Sequence, residues 1–126
     1  QFFEFLPGII QSAGDGPTLR LPVADVQPIA AEDVADAVAR IAQQQPANGV
    51  VEIAGPERVS MAELANRFLR LTGDSRRVVG DAQSLYFGSP LQVDTLVPAG
   101  RAWTGSIGFD AWVQQSSLMP VEPAEQ

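Results

Sequence analysis

The 126-residue sequence contains no cysteine and no histidine, and all eight of its basic residues are arginine, so lysine is missing as well. Each absence removes chemistry. Without cysteine there is no disulfide framework, thiol nucleophile or thiolate metal site. Without histidine the Ser-His-Asp and Cys-His arrangements and the imidazole metal ligand are gone. Without lysine there is no Schiff base, no phosphate-gripping P-loop lysine and no lysine to assist a tyrosine. Carboxylates, hydroxyls, arginines and one tyrosine, Tyr86, are what remain. Composition thus points to a binding or structural part and leaves open only an enzyme that works through carboxylates.

Long apolar runs are also missing. The opening segment Gln1–Ile10 is apolar but short, carries Glu4 and has no basic residue before it. It is neither a signal peptide nor a membrane span, and no other run approaches the ~20 apolar residues a spanning helix needs. The expectation is a soluble, cytoplasmic chain. The sequence opens on Gln1, not Met, which reads as a trimmed start or a piece of something longer. Acids outnumber bases by 15 to 8, for a net charge of −7. That balance argues against nucleic acid or an anionic membrane as partner, since phosphate binding needs clustered bases.

What is present is one domain's worth of ordinary globular composition, enough to bury roughly two thirds of the unfolded surface. Residues 13–18 read as a loop, followed by a short strand, Leu19-Arg-Leu-Pro22, and an extended piece, Val26-Gln-Pro-Ile29, placed at an edge by Pro28. Ala31 to about Gln44 is a helix. Glu32, Asp33 and Asp36 crowd its start, Arg40 sits late, and Val34, Val38, Ile41 and Ala42 share one face. Val50–Ala54 is a strand bounded by turn residues. Ser60-Met-Ala-Glu63 matches a capping box opening a second helix, with Met61, Leu64, Ala65, Phe68 and Leu71 as its stripe and Gly73 as its close. Asp36–Arg40 and Glu63–Arg67 are spaced to pair. Arg76–Val79 is another short strand. Beyond Gly80 the signal weakens to loop with extended bits at Leu85–Phe87 and Thr95–Val97. A last short helix covers Phe109–Val113 and is begun by Ser106. Residues 116–126 form a polar, mobile tail, leaving 1–115 as the folded lobe.

The order strand, helix, strand, helix, strand is an α/β pattern with few, short strands. It reads as the late part of a larger α/β fold, or as a domain that completes its sheet with a partner. No Gly-x-Gly-x-x-Gly follows a strand, so a dinucleotide loop is absent from the sequence. Gly55-Pro56-Glu57 reads as a tight strand-to-helix connection, or as the end of a strand facing a cleft. Arg76-Arg77 read as solvated strand residues before they read as a phosphate contact. Tyr86-Phe87 and the cluster Phe2, Phe3, Phe5 read as core, with an apolar ligand pocket as the functional alternative. No catalytic residue and no metal ligand emerges from these patterns.

Four segments together carry a resemblance: Gln1-Phe-Phe-Glu-Phe5, Gln27-Pro-Ile-Ala-Ala-Glu-Asp-Val-Ala35, Val51-Glu-Ile-Ala-Gly-Pro-Glu57 and Tyr86-Phe-Gly88. In order and spacing they resemble the C-terminal half of NmrA-like, atypical short-chain dehydrogenase/reductases, from Gln1 to about Val113. The resemblance implies a partial Rossmann-type lobe on the substrate side of an NAD(P)-dependent oxidoreductase. The family's glycine-rich cofactor loop and Tyr-x-x-x-Lys pair would lie before the segment that matches Gln1, and nothing in this chain replaces them. It also implies that Gln1, Phe2 and Phe3 pass near the nicotinamide end of the cofactor, and that Phe5, Tyr86 and Phe87 are walls of the substrate pocket. The implied partners are a small-molecule substrate and an upstream Rossmann half or a second copy of the chain, covering an apolar face. NAD(P) is then not expected to bind this chain alone. Two alternatives stand beside this reading: a free-standing small-molecule-binding or protein-interaction module without catalysis, and part of an NAD(P)-sensing regulator.

Overall fold

The computed structural model describes residues 1–116 and is a mixed α/β arrangement of four helices and three two-stranded sheets. The polar tail lies almost wholly outside the described residues. The chain opens with a 3-10 turn, Phe3–Phe5, leading into helix α1, Leu6–Ser12. No helix is expected there from the sequence. Pro7 falls in the first turn, where a missing N–H costs nothing, and Leu6, Ile9 and Ile10 face inward.

Strand β1, Thr18–Leu21, pairs in parallel with β5, Arg77–Gly80, and helix α3, Met61–Leu71, packs over both. Helix α3 follows its sequence signals closely. The Ser60 hydroxyl accepts from the Glu63 N–H at 3.1 Å, and Gly73 closes the helix at φ 76°. Met61, Leu64, Ala65, Phe68 and Leu69 are buried in the main core with Leu19, Leu21 and Val78. The Asn66 side chain accepts from Val78 N–H at 2.8 Å and donates to its carbonyl at 2.9 Å, locking the helix to β5. Arg67 does not pair with Glu63. It reaches Glu57 at 2.9 Å and Asp110 at 3.2 Å, and its guanidinium lies 5.4 Å from the Phe109 ring centre. That bond to Glu57, burial notwithstanding, raises the guanidinium above its ordinary range. Helix α4, Phe109–Gln115, is thereby tied to α3. Its N-cap is Gly108, and Ser106, the expected starter, points elsewhere.

The remaining strands are two residues each: β2, Asp25–Val26, antiparallel to β4, Val59–Ser60, and β3, Ile53–Ala54, parallel to β6, Trp103–Thr104. The strand expected over Val50–Ala54 is shortened because β6 offers only two partners, and Val50 and Val51 stand exposed. Hydrogen bonds nevertheless extend this pairing into a row of four segments. Gln1–Phe3 bonds with Ile29, Gln27 with Gly55, and residues 52–54 with 103–105. Pro28 interrupts the row, as its missing N–H requires.

Helix α2, Ala31–Ala42, forms where expected, with the Asp36–Arg40 pair at 3.2 Å. Its burial differs from expectation. Ala37 and Asp33 are its buried residues, while Val38, Ala35 and Ala42 are exposed and Val34 and Ile41 are half-buried. The apolar stripe read from the sequence is thus largely uncovered. The side chain of its own N-cap, Ala30, has no acceptor, and Glu4 supplies one from 27 residues away, accepting from the Ala31 N–H at 3.1 Å.

Candidate functional site

The two ends of the described chain segment 1–89 meet at one place. Helix α1 and the turn after Leu85 enclose a cavity of about 320 Å³ lined by Glu4, Phe5, Gly8, Ile9, Tyr86 and Phe87. The three residues expected to wall a substrate pocket, Phe5, Tyr86 and Phe87, line this one cavity. The simpler expectation, that all these rings are core, does not hold: Phe5 is 57% exposed and Phe87 66%.

Backbone geometry explains how Phe87 is presented. Residues 85–87 are not extended. Tyr86 N–H donates to the Ser89 carbonyl at 2.8 Å and Ser89 N–H to the Tyr86 carbonyl at 3.0 Å. Between them Phe87 has φ 46° and Gly88 φ 86°. Positive φ at both central positions defines a turn of type I′, which favours Asn, Asp or Gly. A phenylalanine at the first position is held against its backbone preference. Its ring stands edge-on to Tyr86 at 4.8 Å between centres. The Tyr86 hydroxyl donates to Gln1 Oε1 at 2.9 Å across 85 residues, anchoring the turn to the start of the four-segment row. Sequence reading missed this turn because Phe is a poor marker of it; Gly88 and Pro90 were the available signal.

Burial pushes the Tyr86 phenol above its ordinary value of 10.0. Because Tyr86 is the sole tyrosine, absorbance at 295 nm follows it alone. A midpoint above 10 is expected in the folded protein, returning to about 10 in denaturant. Equal midpoints in both states would mean that Tyr86 lies in open water.

The residues implied as cofactor-side divide. Phe3 is 3% exposed, its ring against Phe109 and Trp112 at 5.5 Å each, so it gives its side chain to the core. Phe2 is half-buried and edge-on to Phe5 at 5.1 Å, behind the cavity wall. Gln1 is exposed and lines a second, more polar cavity of about 350 Å³ with Gln27, Glu52 and Thr95. The two cavities flanking Gln1 carry Glu4 and Glu52 and no arginine. A pyrophosphate needs N–H groups or cations, so these residues do not fit a whole dinucleotide.

A third depression, about 590 Å³ and lined by Val50, Val51, Glu52, Arg101, Ala102 and Trp103, opens beside β3 and β6. Arg76 is not available to a phosphate: it forms a two-point pair with Asp74, 2.8 Å from Nη2, which lowers the Asp74 carboxyl below its ordinary range. Among the described residues no three acids converge as a metal cage, and no helix is long and apolar enough to cross a membrane. No protein-family model, curated protein or solved structure matches the chain.

Proposed function

We propose that this chain is a substrate-binding lobe that seats a small, mostly apolar molecule in the cavity between α1 and the 86–89 turn. Following the NmrA-like resemblance, the lobe serves an NAD(P)-dependent reductase whose nucleotide is gripped by a separate stretch of polypeptide. Hydride chemistry belongs to that cofactor; the lobe's own residues bind, orient and shield the substrate. The observation that carries the reading is Phe87, an aromatic ring kept exposed at a cavity mouth by a backbone conformation that disfavours it. Stability alone would favour Asn or Gly at that position, and retained strain of this kind collects at binding sites. The uncovered stripe of α2, together with Val50 and Val51, supports a further polypeptide resting on the lobe.

Phe87→Asn separates stability from binding. The substitution relaxes the turn and is expected to stabilise the fold by about 0.5–1 kcal/mol. It also removes a cavity wall, so affinity for acetophenone, a neutral aromatic carbonyl probe, should fall at least tenfold by calorimetry. A variant that is more stable and binds acetophenone as the original chain does would refute the pocket. Fluorescence titration with NADPH should show no saturable enhancement by this chain alone; a saturable one would contradict the separate nucleotide-binding segment.

A further inference from the structure

Between the end of α2 and the start of β3, every residue from 43 to 52 is exposed. Among the described residues, none from 45 to 51 enters a backbone hydrogen bond. In the middle of this stretch stands Asn48-Gly49. Asn48 has φ 54°, a left-handed conformation that asparagine tolerates, and its side-chain amide has no hydrogen-bond partner among the described residues. The sequence holds one other asparagine, Asn66, in the opposite situation. It lies inside α3, its amide oxygen accepts from Val78 N–H at 2.8 Å, and its amide nitrogen donates to the Val78 carbonyl at 2.9 Å.

An asparagine amide is open to attack by the main-chain nitrogen of the residue that follows it. At Asn48 the Gly49 nitrogen bonds to Cγ, its proton passes to the side-chain nitrogen, and ammonia leaves as a five-membered succinimide closes. Water then opens the ring at either carbonyl, to aspartate or to isoaspartate, and no other reactant is consumed. The step needs a backbone free to swing the nitrogen towards Cγ and a following residue that does not crowd the ring. Exposure and the missing hydrogen bonds meet the first need, and a glycine without Cβ meets the second. Asn66 meets neither, being held at both ends of its amide and followed by Arg67. We infer that Asn48 is a spontaneous deamidation site, where the chain acquires an isoaspartyl linkage. Conversion adds one negative charge to a net charge of −7. The isoaspartyl form also lengthens the main chain by one methylene just ahead of Val50 and Val51, which line the 590 Å³ depression beside β3 and β6.

The test holds the folded chain in mildly alkaline buffer and digests samples briefly with trypsin at intervals. Cleavage after Arg40, Arg58 and Arg67 puts Asn48 in the peptide 41–58 and Asn66 in the peptide 59–67. Mass spectrometry reads the exchange of an amide NH2 for OH, and chromatography separates aspartate from isoaspartate, with Asn48→Asp marking where the aspartate form elutes. Peptide 41–58 should convert at least tenfold faster than 59–67 and give both products. Gly49→Ala should slow that conversion about tenfold by crowding the ring. Folding is not at risk in that variant, since a Cβ there meets only the Ala47 carbonyl oxygen, at 4.0 Å. Conversion of Asn48 no faster than that of Asn66 in the folded chain, or a rate that Gly49→Ala leaves unchanged, would overturn the assignment.

Discussion

Gly55→Ala is expected to destabilise the protein by about 3 kcal/mol, near the upper end for overpacking. The cause is backbone against backbone. Gly55 N–H donates to the Gln27 carbonyl at 2.8 Å, and Gln27 Nε2 donates to the Gly55 carbonyl at 2.9 Å. At that approach a Cβ on Gly55 would run into the Pro28 carbonyl group, which cannot rotate aside as a side chain would. Relief requires the segment at 27–29 to separate from the end of β3, opening the four-segment row that also positions Gln1 and, through it, Tyr86. Urea unfolding measures the effect. Gly8→Ala is the control, since a Cβ there meets nothing within 4 Å and the residue lies inside α1. That substitution should stabilise by about 0.5–1 kcal/mol. Equal midpoints for Gly55→Ala and the original chain would mean the row is not as tight as described.

Asp33→Ala should cost about 2 kcal/mol, through a different mechanism. Asp33 lies in the first turn of α2 and, at 5% exposed, is the buried charged residue among the described residues. It accepts from the Ile107 N–H at 2.8 Å and from the Ser106 hydroxyl at 3.4 Å. Gly105 makes room for it: a Cβ there would lie 2.5 Å from Asp33 Oδ2 and 2.9 Å from Ile29 Cγ1. Asp33 thereby clamps the stretch between β6 and α4 onto a helix that has little else holding it. Alanine leaves a main-chain N–H without its partner and removes a charge favoured at a helix start. Asn can still accept from Ile107, so Asp33→Asn should lose about 1 kcal/mol. Hydrogen exchange should locate the change: faster exchange at Ile107 and through α2, with α3 protected as before. Uniform acceleration across α3 would show that the clamp holds the whole core instead.

Both effects rest on residues whose role was only partly legible. Asp33 reads from sequence as one of several charges at a helix start, and that is true locally. Its burial depends on a contact with residues 106–107, a separation no helical pattern encodes. Gly55-Pro56-Glu57 reads correctly as a tight connection, but the tightness is against Pro28. Helix α3 was legible in its cap, its closing glycine and most of its stripe, which are all local. Leu69 is buried where Leu71 was expected, Leu71 being only half-buried, and Arg67 turns to Glu57 and Asp110 instead of Glu63. Helix α2 was legible as a helix and misleading as a buried one, since periodicity reports an apolar face and not what covers it. The cavity divides the same way. Ring composition alone placed Phe5, Tyr86 and Phe87 in the core. A pocket was the alternative reading of the same rings, the family resemblance singled out these three as its walls, and the left-handed backbone at Phe87 was visible in neither.

Chemical-shift mapping with acetophenone tests the central claim most directly. The claim is that the α1 and 86–89 cavity receives a small apolar molecule. The largest amide shifts should fall at Phe5, Gly8, Tyr86 and Phe87, saturating together with one dissociation constant. Shifts centred instead on Val51, Arg101 and Trp103, or no saturable shift anywhere, would contradict it.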